Sequence, residues 1–96
     1  MNNNMIRAID YCPPEASPVE SAERLARQVL ESIRAGRSVV ISMDGVLGAS
    51  SSFFNVIFAA LRDSVGNQVA REQLSFDGLG PTQRLVESRS RRAVLG

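Results

Sequence analysis

The sequence predicts an α/β domain, a mostly parallel sheet of about three to four strands with helices packed on it. Two observations carry this. Short apolar runs alternate with longer stretches whose apolar residues recur every three or four positions, in the order strand then helix, three times over. Pro, Gly and Asp-Gly turn signals punctuate those stretches and set their boundaries. Ninety-six residues, 44% hydrophobic and 22% charged, suffice for one core, so residues 5–96 are read as a single domain. Residues 1–4 are expected to be a disordered end, with order beginning at Met5.

The first strand is expected over Met5–Ile9, stopped by Asp10 and the Pro13-Pro14 pair. Ser17-Pro18-Val19-Glu20 is a capping box: the Ser hydroxyl can take the orphan amide at the third helical position while Glu20 reaches back, and Pro18 suits the first turn. The helix it starts carries Ala22, Leu25, Ala26, Val29, Leu30 and Ile33 on one face and ends at Gly36. Ser38–Met43 is β-branched and apolar, as a buried central strand requires, and Asp44-Gly45 ends it.

A second helix is predicted over Ser51–Val65, with Gly66 as its stop. At about 100° per residue its apolar positions sweep roughly 200° of the wheel, twice what one sheet contact needs, so a second apolar contact is implied. Gln73–Asp77 is read as the third strand and Thr82–Val94 as the last helix. Parallel pairing through right-handed crossovers puts the strand C-termini and the following helix N-termini on one edge, where function is expected.

Composition closes off much chemistry. Net charge is +1 and all eleven basic residues are Arg, so no global field favours a nucleic acid and no Lys is present to form a Schiff base. The absence of His removes the commonest general base and metal ligand. Cys12 is the only cysteine, which rules out an intrachain disulfide and leaves a free thiol in a reduced, cytoplasmic setting. No apolar run approaches the ~18 residues of a membrane span, so no membrane association is expected. Arg84, Arg89, Arg91 and Arg92 read as a solvated face of the last helix.

Three carboxylates offer the best case for a metal. Asp10, Asp44 and Asp77 each close a predicted strand and can converge on one edge, as oxygen ligands of Mg²⁺ do, in a phosphatase-like enzyme. The simpler reading is that Asp44 and Asp77 precede Gly in turns that favour Asp-Gly for its backbone. No cofactor is expected on that reading.

The stretch from Val39 to Phe54, with Ser42-Met43-Asp44-Gly45-Val46 followed by a short loop and Ser50-Ser51-Ser52-Phe53-Phe54, resembles the core motif of the STAS-like domains, closest to their short branch of unknown function. The resemblance implies a STAS-like fold related to the anti-sigma-factor antagonists, and it implies Ser51 as a phosphoacceptor. Ser50 stands where those antagonists carry Asp, Ser42 where the strand carries Asp, and Phe53 where they carry Gly. Read without any family, a serine here caps the helix, and three in a row exceed what a cap needs at an anion-favouring helix start.

These readings converge on a protein-binding regulatory module and not an enzyme. Ser50, Ser52, Phe53, Phe54 and Asp44 are its expected partner-binding residues and Ser51 its switch. The resemblance implies an anti-sigma-type serine kinase as partner, with ATP held by that partner. The alternative is an architectural subunit or homodimer in which the serines only cap.

Overall fold

The computed structural model describes residues 3–96. Its elements are β1 (Asn3–Arg7), a 3₁₀ turn (Ala8–Tyr11), α1 (Pro18–Arg34), β2 (Ser38–Ser42), α2 (Ser51–Val65), α3 (Asn67–Gln73), β3 (Leu74–Asp77) and α4 (Pro81–Leu95). The sheet runs β1-β2-β3 with both pairs parallel, so β2 is central and the domain is α/β as the alternating pattern predicts.

Strand β1 begins and ends two residues earlier than its apolar content suggests. Its register pairs Asn3 with Ser38 and Arg7 with Ser42, so the length of β2 decides where β1 lies. Asn4 donates from Nδ2 to Ser32 Oγ at 2.6 Å, which ties the strand to α1. Asn3 and Asn4 therefore belong to the sheet and not to a disordered end, while Met1 and Asn2 lie outside the described residues. Ile9 falls in the 3₁₀ turn.

Right-handed crossovers between neighbours taken in sequence order put α1 and α2 on the same face of the sheet. Burial agrees with this. Ile6, Val39, Ile41 and Leu74 face the helices and are buried, whereas Met5 on the opposite face is 57% exposed and Arg7, Ser75 and Asp77 are exposed beside it. The second face of the central strand is less fully covered, with Ser38 and Val40 half-buried and Ser42 buried, where its composition predicts burial on both.

The core lies between the sheet and α2. Phe54 meets Phe76 edge-on at 5.1 Å between centroids, and Phe58 meets it at 5.8 Å. The broad apolar face of α2 has its second contact: the helix packs between α1 and α4. Each phenylalanine buried this way contributes about 1.5–3 kcal/mol.

Helix α3 has no counterpart in the sequence reading. Gly66, at φ +90°, breaks the chain after α2, and Asn67–Gln73 then turns once more before β3. Ala70 is its single buried residue, too little apolar signal for a periodicity. Its function is local: Asn67 Nδ2 and Arg71 Nη1 donate to Leu95 O at 3.1 and 2.6 Å, satisfying a carbonyl at the end of α4.

Arg84, Arg89 and Arg92 are exposed, as a solvated face requires, and Arg91 is the exception. Its side chain is only 25% exposed and pairs with Glu87 at 2.8 Å. The guanidinium lies 4.9 Å from the Phe58 centroid and donates to Leu74 O at 3.1 Å, covering the outer edge of β3.

Candidate functional site

The edge where the strands end is built from two turns. After Ser42, the Met43 amide donates to Asp77 O at 2.8 Å and the Val46 amide to Met43 O at 3.0 Å, with Gly45 at φ +83° supplying the bend. The second turn follows β3, where Gly78 is at φ +73° and its amide donates to Asp77 Oδ1 at 2.9 Å. These turns touch. A Cβ at Gly78 would overlap Asp44 Oδ1 and lie 3.2 Å from the Asp44 amide, so only glycine admits this approach.

From that base the chain projects outward through Val46–Ala49 before α2 begins. Gln83 Nε2 holds the start of the loop by donating to Val46 O at 3.3 Å. Leu47 stands at the tip, 94% exposed, the most exposed large apolar side chain among the described residues. A cavity of about 220 Å³ lies on the α1 side of this loop, and a groove of about 390 Å³ lies on the α4 side, lined by Pro81 and Val86.

The serines at the start of α2 do not cap it through their side chains. Ser50 occupies the N-cap position with extended backbone, yet its hydroxyl takes no amide. The amides of Phe53 and Phe54 instead both donate to Ser50 O, at 3.1 and 3.3 Å. Ser50, Ser51 and Ser52 are all exposed. The capping role expected of one serine here is therefore corrected: the first turn closes through the backbone, and the hydroxyls remain open to solvent.

Of the residues singled out from sequence, Asp44, Ser50, Ser51 and Ser52 are exposed along this edge. The two phenylalanines are different. Phe54 is wholly buried in the core and offers nothing to a partner, and Phe53 is 2% exposed, reaching only the floor of the smaller cavity. Their helical positions turn them toward the sheet, so their place is in folding. Asp10, Asp44 and Asp77 do not assemble: among the described residues no group of three or more His, Cys, Asp or Glu could hold a metal ion. Leu47 and Ser21, which lines the smaller cavity, gave no signal in sequence, since a lone leucine and a helical serine look ordinary there.

Among the described residues no helix is long and apolar enough to cross a membrane. Neither the curated proteins nor the solved structures hold a significant match to the chain. The chain belongs to the family described as STAS-like domain of unknown function (DUF4325), whose match spans residues 21–84. That span runs from the first turn of α1 to the first turn of α4 and contains the whole serine-bearing edge.

Proposed function

We propose that this chain is a cytoplasmic protein-binding regulatory module and not an enzyme, docking a partner on the edge formed by Asp44, Leu47 and Ser50–Ser52, with Ser51 as the phosphoacceptor that switches it. One observation carries the reading: three adjacent hydroxyls are exposed at a helix start, and the cap position among them leaves its side chain unbonded. A hydroxyl free of any cap can be modified without unravelling the helix. A phosphate there adds about −1.5 to −2 charges beside the amides and positive end of α2, which the helix tolerates. Against a partner seated on exposed Leu47, the same charge must be desolvated, and that weakens the complex.

The composition supports a non-enzymatic role, with no His, no Lys and one Cys to act as base or nucleophile. The resemblance of the Val39–Phe54 motif to the anti-sigma-factor antagonists is what suggests an anti-sigma-type serine kinase as the partner, which would itself bind the ATP. The architectural alternative, in which the serines only cap and the broad apolar face of α2 meets another subunit, lacks both supports: Ser50 makes no side-chain cap. The α2 face is occupied inside the chain by α1 and α4, so no observation favours that alternative.

The test is partner capture from the native cell, with mass spectrometry of the Ser50–Ser52 peptide. We expect phosphate on Ser51, retention of the partner by Ser51→Ala, and weakening of its binding by ~1–3 kcal/mol in Ser51→Asp. Equal binding by both variants together with an unmodified peptide removes the switch.

A further inference from the structure

The smaller cavity lies beyond the carboxyl end of β2, between the first turn of α1 and the loop that carries Leu47. Its lining side chains are mostly apolar, Pro13, Pro14, Pro18 and Phe53 among them with Cys12, while backbone and hydroxyl groups make about half of the lining surface polar. Ser21 is the exception. That residue is only 4% exposed, and its hydroxyl bonds to no other group among the described residues. No side-chain polar atom sealed from solvent lacks a partner, so the Ser21 hydroxyl must open on the cavity that it lines. A hydroxyl that lines this recess and is unpaired within the chain is free to bond a molecule that enters it.

From this we infer that the cavity is a binding site for a small uncharged molecule of about one ring, bearing a single hydrogen-bonding group that meets Ser21. Size supports this class. An apolar cavity of about 150 Å³ accommodates benzene, and this one measures about 220 Å³, leaving room for a ring and one substituent. Charge supports it as well, because no ionisable side chain other than the Cys12 thiol lines the cavity. The α1 terminus, which could otherwise attract an anion, is closed against one. Ser17 Oγ takes the Glu20 amide at 3.1 Å, Glu20 Oε1 takes the Ser17 amide at 3.2 Å, and Pro18 has no N–H to give. The ligand's ring would stack among the prolines and Phe53 while its polar group reaches Ser21.

Occupancy of this site would act on the loop that carries Leu47, because Leu47, Gly48 and Ala49 form the opposite wall. The inference does not depend on the phosphorylation reading. Phenol reports on the cavity and the Ser51 variants report on partner binding, so either can fail alone.

The experiment is an amide-resolved NMR titration of the full chain with phenol as probe, benzene as the ring without its polar group, and benzoate as the charged ring. Phenol should bind saturably with a Kd on the order of 1 mM, shifting the amides of Ala16, Ser21 and Ala49. Benzene should bind roughly fivefold more weakly and benzoate not measurably, and Ser21→Ala should bring phenol down to the benzene value. Bound phenol should also slow alkylation of Cys12 by N-ethylmaleimide. Ala16→Leu, which narrows the mouth, should abolish the phenol shifts while the amide spectrum stays dispersed. Shifts that never saturate, shifts scattered away from these residues, or equal phenol affinity in a folded Ser21→Ala variant would overturn the assignment.

Discussion

Helices α1 and α2 both begin behind a serine, and the two serines have different fates. Ser17 accepts the amide of Glu20 at 3.1 Å, and Glu20 returns the bond to the Ser17 amide. Ser50 holds the same position and makes no side-chain bond. The residue three places on accounts for the contrast. In α1 it is Glu20, exposed and able to reciprocate, whereas in α2 it is Phe53, drawn into the core. A hydroxyl at a helix start becomes a structural cap when its surroundings lock it, and otherwise remains available for chemistry. The start of α1 is held locally, while the start of α2 is held by packing beneath it and by the Asp44–Gly78 approach behind it.

The largest test of that contrast removes the packing. Phe54→Ala should cost about 3–5 kcal/mol in urea unfolding, because α2 loses its fully buried anchor against Phe76. A loss under about 1 kcal/mol would mean that α2 is held some other way. Next is the approach behind the loop: Gly78→Ala should cost roughly 1–3 kcal/mol, from the positive φ and the overlap with Asp44 together. Pairing it with Asp44→Ala separates the two, since removing the carboxylate relieves the overlap and leaves the backbone strain.

The caps themselves give smaller effects. Ser17→Ala should lower stability by about 1 kcal/mol, whereas Ser50→Ala should stay within about 0.5 kcal/mol. Equal losses would show that Ser50 caps α2 in solution after all. The smallest expected change is a gain: Ser51→Asp should raise stability by about 0.3–1 kcal/mol by placing a carboxylate at the positive end of α2, and thermal melts at low and high salt should show the gain shrink with screening. A marked loss from Ser51→Asp would break the idea that this helix start tolerates a phosphate.

Much of this molecule could be read from its residues alone. The period of 3.6 in α1, the capping box at Ser17 and the β-branched run at Ser38–Met43 are local signals that depend on neighbours in the chain, and each element stands where those signals put it. The parallel order and the edge where the serines gather follow from the alternation of strand and helix. Other features had no local signal. Asn3 and Asn4 enter β1 because β2 offers partners in register, and α3 forms because Gly66 redirects a segment with one buried residue.

Exposure was decided only by the tertiary structure. Sequence placed Phe53, Phe54 and Arg91 on surfaces, but the sheet behind α2 claimed the rings and Phe58 and Leu74 claimed the guanidinium. Leu47 and the Ser21 hydroxyl went the other way, one projecting into solvent and one opening on a cavity, because the cavity is closed only when the loop at Val46–Ala49 meets the start of α1, two segments more than twenty residues apart. Residue type and spacing determine what an element is. Which of its atoms remain free is set by whatever packs against it, and that is a property of the whole fold.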